Sequence, residues 1–262
     1  PILASQSDLI IYSDGPRRPE LQPQVDAVRH YCRGLQGFRS VILHEQPDNR
    51  GLANSIIGGV TETLQRYEHV IVLEDDLEVA TGFLQYMNDG LRTYRLDQAV
   101  ASIHGYCYPV SEQLPETFFL RGADCWGWAT WSRAWQLFQP DGKRLLQELQ
   151  ESRQTDVFDL DGCYGFSQML IDQIAGRNDS WAIRWHAACF LANRLTLYPG
   201  KSLVTNTGVD GSGTHCGADG VLSNAQGSTN PAVSVRRLDL HEDQVARKVI
   251  CRYLAEIGRA HV

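Results

Sequence analysis

The stretch that most constrains this chain is His69 to Met87, HVIVLEDDLEVATGFLQYM. Val70, Ile71, Val72 and Leu73 form an unbroken apolar run rich in β-branched residues, which predicts a strand buried on both faces, as in parallel sheets. The run ends in Glu74, Asp75 and Asp76. Adjacent carboxylates repel one another, so a buried strand gains nothing from them; a strand end opening into a cleft tolerates them where a cation neutralises them. Ligands of open α/β sheets bind beyond the carboxyl ends of the strands. Thr81 then offers an N-cap, and Phe83, Leu84, Met87 and Leu91 follow at helical spacing. Side chains alternate along a strand, so Glu74 and Asp76 face one way and Asp75 the other: one acid can hold a metal while another reaches a neighbouring ligand group. The plainer alternative is three solvated acids beside a helix terminus.

The preceding residues alternate strand and helix. Asp8 to Tyr12 reads as a strand breaking at Ser13-Asp14-Gly15-Pro16, where Asp14 suits a turn acid accepting backbone hydrogen bonds. Leu21 to Leu35 reads as an amphipathic helix facing inward through Val25, Val28 and Tyr31. Ser40 to His44 is the next strand, and Asn49, Gly51 and Asn54 open a helix running to about Tyr67. Ala99 to Ile103 adds a strand ending at His104-Gly105-Tyr106. This order predicts an α/β fold with a mainly parallel sheet and helices on both faces.

Four of the six tryptophans fall in Phe118 to Trp135, FFLRGADCWGWATWSRAW. Trp131 and Trp135, at i and i+4, read as packing within a helix. The GADCWGW loop is more suggestive: its glycines allow close approach, and Asp124 sits among apolar neighbours. Asp141 to Gln154 reads as a surface helix, and Phe166 to Ala175 as a helix with Met169, Leu170 and Ile174 inward. Asn178-Asp179-Ser180-Trp181 opens a helix to Asn193, with Asp179 as the expected N-cap. Leu195 to Tyr198 and Leu203 to Val204 are short strands, followed by the glycine-rich NTGVDGSGTHCG with its single histidine, His215. Beyond Gly217 pattern is lost until a peripheral helix over Arg236 to Leu254.

Net charge of -7 argues against a nucleic-acid backbone as the main partner. No apolar run approaches the roughly 18 residues of a membrane span. Seven cysteines, an odd count without CxxC, argue against a disulfide framework or zinc ribbon and suit a reducing compartment.

VIVLEDDLEVATGFLQYM resembles the acidic motif of metal-dependent GT-A glycosyltransferases. It is nearest to the N-acetylglucosaminyltransferase family that begins complex N-glycans and to bacterial relatives beside surface-polysaccharide genes. The LEDDLEVA core is long and specific, and a looser resemblance runs from about Leu9 to about Gly217. It implies a GT-A fold over 1–217 lacking its first strand and helix, with an appendage over 218–256; separately, residues 257–262, IGRAHV, match one reading frame of a common sequencing adapter and are expected to be a non-native tail. It implies Asp76 as metal ligand, Glu74, Asp75 and Asp14 as donor contacts, and Arg121, Asp124 and Trp126 as substrate contacts. It also implies Asp179 as general base, with Asp172 as its rival, and His215 as a second metal or diphosphate contact.

The expected cofactor is manganese, with magnesium as the alternative, since imidazole, carboxylate and diphosphate oxygens suit a borderline ion. The expected reaction moves a sugar, with inversion, from a nucleoside diphosphate sugar (a UDP-sugar favoured) to a hydroxyl of a glycan or lipid-linked glycan. Bacterial surface glycan synthesis in the cytoplasm follows from the same resemblance, with peripheral association at the inner membrane face compatible with it. A nucleotidyltransferase acting on sugar phosphates and a non-catalytic nucleotide-sugar-binding domain are the alternatives.

Overall fold

The computed structural model describes residues 3–208 and 232–260, which fall into two compact units, 1–63 and 64–262. In the first unit, β1 (Asp8–Ser13) pairs in parallel with β2 (Ser40–Glu45), from Asp8 opposite Ser40 to Ser13 opposite Glu45. Helix α1 (Gln22–Arg33) links them and α2 (Leu52–Leu64) follows. The inward face of α1 differs from expectation: Val28 and Tyr31 are 57% and 71% exposed, whereas Arg29 and Cys32 are buried. The reason is hydrogen bonding. The Arg29 guanidinium donates to the carbonyls of Ser13, Asp14 and Gln46, closing the ends of both strands, and this turns the helix by one position.

The second unit is built on a five-stranded sheet in the order β3 (His69–Val72), β7 (Trp128–Trp131), β5 (Val100–His104), β8 (Leu195–Pro199), β6 (Thr117–Arg121). Only β5 and β8 run parallel; the other three pairings are antiparallel. The expectation of a mainly parallel sheet is therefore corrected to a mixed one. The cause is Trp128 to Trp131, which forms β7 and inserts antiparallel between β3 and β5; Trp131, expected with Trp135 in a helix, ends that strand, and Trp135 alone lies in the short α4 (Ser132–Trp135). β3 consequently lies at the edge of the five-stranded sheet, half-buried rather than covered on both faces.

The acids do not lead directly into a helix. They form a turn into β4 (Leu77–Val79), which pairs with β9 (Val204–Asn206). Helix α3 (Phe83–Thr93) starts after Gly82, not at a Thr81 cap, and buries Phe83, Tyr86, Met87 and Leu91. Helices α5 (Gly142–Glu151), α6 (Thr155–Phe158), α7 (Phe166–Ile174) and α8 (Trp181–Leu191) share a core containing Leu145, Leu149, Phe158, Leu170 and Ile183. The last helix, α9 (Gln244–Ala260), is not peripheral: Ala246, Ile250 and Leu254 pack with Phe118, Leu120 and Tyr198 of β6 and β8.

Cys251 of α9 is joined to Cys163 by a disulfide, with the Cα atoms 5.4 Å apart, although the odd cysteine count without CxxC argues against a disulfide framework and for a reducing compartment. Arg247, one turn earlier, pairs with Asp161 at 2.5 Å, so two links fasten α9 to the loop before α7. No helix among the described residues is long and apolar enough to cross a membrane.

Candidate functional site

Glu74, Asp75 and Asp76 stand at the carboxyl end of β3, where the chain turns into β4. Glu74 is pressed inward. Burial, followed by the charges of Asp76 and Asp75, pushes its carboxyl up to about 7, against a hydrogen bond from the Trp181 side chain that lowers it. Burial and the Asp75 charge also hold Asp76 above its ordinary value, opposed by hydrogen bonds from the backbone and from Asn206. Asp75 is exposed. No cationic side chain among the described residues contributes to holding Glu74 or Asp76 ionised.

β9 closes the site from the other side. The amide and hydroxyl of Thr207 both donate to the Asp76 carbonyl, at 2.8 and 2.9 Å. A Cβ on Gly208 would lie 2.7 Å from an Asp76 carboxylate oxygen, so a side chain here would have to displace that carboxylate. His215, expected to join Asp76, lies outside the described residues. Among those described, no group of three or more His, Cys, Asp or Glu side chains is arranged to hold a metal ion. The donor set that is present is still of the right kind: two carboxylates raised by burial and repulsion lose that penalty beside a divalent cation.

Helix α8 supplies the next part of the site. Its first residue, Trp181, reaches Glu74, and its ring stacks on Trp128 of β7 at 5.3 Å. The expected cap is corrected here. Ser180, not Asp179, is the N-cap: its side chain accepts from the Ile183 amide at 3.2 Å, and Asn178 accepts from the Ser180 amide. Asp179 precedes the cap with its side chain 60% exposed, 3.9 Å from the Arg184 guanidinium. With Ser180 doing the capping, the Asp179 carboxylate is not engaged by the helix terminus. Asp172 is different, because hydrogen bonds from Arg177, at 2.5 Å, and Gln168 lower its pKa and hold it as a paired anion.

Arg121, Asp124 and Trp126 sit on and beside the loop joining β6 to β7. The Arg121 guanidinium is turned inward, donating to the Phe190 carbonyl at 2.9 Å and to Gln154 at 2.6 Å, and lying 3.8 Å from the Phe190 ring centre. Asp124 accepts from the Tyr108 hydroxyl at 3.1 Å and the Cys125 amide at 2.9 Å. Trp126 meets Tyr106 edge to face at 4.8 Å. Sequence reasoning singled out Trp181 only as the aromatic of the NDSW helix start and Asn206 not as a partner; that they bond the acids was missed, since neither residue type points to a distant carboxylate.

Asp14 belongs to the first unit. Its carboxylate accepts from the amides of Gly15, Arg50 and Gly51 at 3.0, 2.8 and 2.9 Å, tying the end of β1 to the start of α2. This is the backbone role that a turn aspartate favours. Comparison with known protein families and with curated proteins finds no match for this chain.

Proposed function

We propose that the second unit carries the chemistry of a metal-dependent glycosyltransferase of GT-A type, transferring a sugar from a nucleoside diphosphate sugar to an acceptor hydroxyl with inversion. The observation that carries the proposal is the acid turn itself: two carboxyls held above their ordinary values at a strand end, with no cationic side chain among the described residues helping to hold them ionised. Asp76 would hold the divalent ion, manganese in preference to magnesium, and the ion would offset charge growing on the diphosphate leaving group. Glu74, oriented by Trp181, would face the donor sugar or ribose, and the exposed Asp75 would do so from the other side.

Asp179 would take the proton from the attacking hydroxyl, being a solvent-facing carboxylate at the start of the helix that also orients Glu74. The pairing of Asp172 with Arg177 lowers its basicity and makes it the poorer base. The setting we propose is bacterial surface glycan synthesis, on a glycan or lipid-linked glycan at the cytoplasmic side.

The test is thermal denaturation with manganese and a panel of nucleotide sugars, in the parent and in Asp76→Asn. Stabilisation of the parent by one donor only when manganese is present, lost in Asp76→Asn, is the expected result. Equal manganese-dependent stabilisation of Asp76→Asn would overturn the metal assignment. Stabilisation without sugar transfer to any acceptor or to water would favour a binding domain.

A further inference from the structure

The loop Gly122 to Gly127 is gripped at both ends by histidines from different elements. At its start, Nδ1 of His186, in the second turn of α8, lies 2.6 Å from the Ala123 carbonyl and 3.2 Å from the Ala123 amide. One nitrogen of a neutral imidazole cannot donate and accept at once. The shorter contact is to oxygen, so Nδ1 carries the proton and donates. The ring stacks on Phe166 at 4.5 Å and packs against Phe158 at 5.2 Å. A Cβ on Gly122, whose φ is 101°, would come within 2.5 Å of the His186 ring, so the loop passes this imidazole only as glycine.

At the other end, Nε2 of His104, fully buried at the end of β5, accepts from the Trp126 amide at 3.1 Å. An accepting Nε2 again requires the neutral Nδ1–H tautomer. Burial lowers the pKa of both histidines, which keeps both neutral. Between the two grips, Asp124 is steadied by Tyr108 and by the Cys125 amide.

The same helix that holds the start of this loop also touches the acid turn. Trp181 and His186 are separated by about 7.5 Å along the axis of α8, at about 1.5 Å rise per residue. One rigid element therefore fixes Glu74 and Ala123 relative to each other.

We infer that His186 and His104 are positioning residues: they set where Asp124 and Trp126 stand relative to the acid turn, and so where an acceptor hydroxyl is presented. This rests on the glycosyltransferase reading for its functional half; its structural half stands alone. Neither histidine touches substrate in this scheme. Each acts through the backbone of the loop.

The experiment separates the two halves. Hydrogen exchange is followed by mass spectrometry on the full chain for His186→Leu, His186→Asn and His104→Leu. His186→Asn keeps a donor near the position of Nδ1 while giving up the ring, so it separates the hydrogen bond from the packing. We expect exchange across 122–127 to rise at least tenfold in His186→Leu and His104→Leu, and to stay near the parent in His186→Asn, with β7 and α3 protected as before. Unchanged exchange of the loop in the leucine variants overturns the inference, as does equal loosening in His186→Asn.

With a donor identified, the KM for acceptor should rise at least tenfold in His186→Leu and recover in His186→Asn, with the KM for donor unaltered. A loosened loop with acceptor KM unchanged overturns the positioning role. Absence of transfer by the parent itself would refute the glycosyltransferase reading while leaving the exchange result to decide whether the histidines hold the loop.

Discussion

Glu74→Gln isolates the electrostatic cost stored in the acid turn. In the folded protein Glu74 keeps its proton up to about pH 7, whereas the unfolded chain releases it near the ordinary value of 4.5. Between these values the folded state binds more protons, so stability falls as pH rises, and the loss is complete above pH 7. At about 1.4 kcal/mol per pH unit, the interval amounts to about 3.5 kcal/mol once the group is fully ionised in both states. Glutamine keeps the size of the side chain and an oxygen for the Trp181 N–H, but carries no charge to desolvate or to repel Asp76 and Asp75.

Urea unfolding in the presence of a chelator, at pH 5, 6, 7 and 8, reads the difference directly. The two proteins should differ by no more than about 1 kcal/mol at pH 5, and Glu74→Gln should be more stable by about 3 kcal/mol at pH 8. Manganese should then stabilise the parent more strongly at pH 8 than at pH 5, because a bound cation reverses the local preference for the protonated acid. Parallel pH profiles for parent and variant would refute the claim that burial and neighbouring acids raise Glu74.

The remaining predictions concern the base, the backbone over Asp76 and the disulfide. Asp179→Asn should reduce turnover by roughly a hundredfold or more with donor binding and stability retained, since Ser180 does the capping; an active Asp179→Asn beside an inactive Asp172→Asn would transfer the role to Asp172. Gly208→Ala should push on the Asp76 carboxylate and weaken manganese binding about tenfold, the scale of lost supporting contacts; calorimetric titration with manganese showing unchanged affinity would contradict the close approach. Cys251→Ser should lower stability by about 2–4 kcal/mol under oxidising conditions and have no effect in excess dithiol; thermal melts with and without reductant check this, and equal melts of the oxidised proteins would count against the bridge.

How far the sequence could be read varies with how local the deciding forces are. β1, β2, α2, α7 and α8 follow from apolar periodicity and turn residues, which act within a few positions. Trp131 ends β7 rather than joining Trp135 in a helix, because their i, i+4 spacing is a local signal whereas the β3 and β5 edges that hold Trp128 to Trp131 extended come from elsewhere in the chain. The face of α1 does not follow from apolar periodicity, because Arg29 finds three carbonyls at the strand ends and turns inward to meet them. Asp179 and Ser180 are both good caps, and local propensity does not choose between them. The acid turn was legible because three carboxylates after an apolar strand are hard to explain otherwise; its partners were not, because Trp181 and Asn206 arrive from more than a hundred residues away.

Those long-range partners give the acid turn a chromophore. Trp181 hydrogen-bonds Glu74 and stacks on Trp128, which in turn lies 6.1 Å from Trp185 and 5.9 Å from Trp135. Four indoles this close share their excited states, so their near-ultraviolet circular dichroism depends on mutual orientation rather than on each ring alone. A proton or a divalent ion arriving at Glu74 would alter its hydrogen bond with Trp181, and any shift of that ring would be carried into the spectrum of the whole cluster. Near-ultraviolet circular dichroism recorded against pH and manganese would then report on the acids without a label and before any substrate is known.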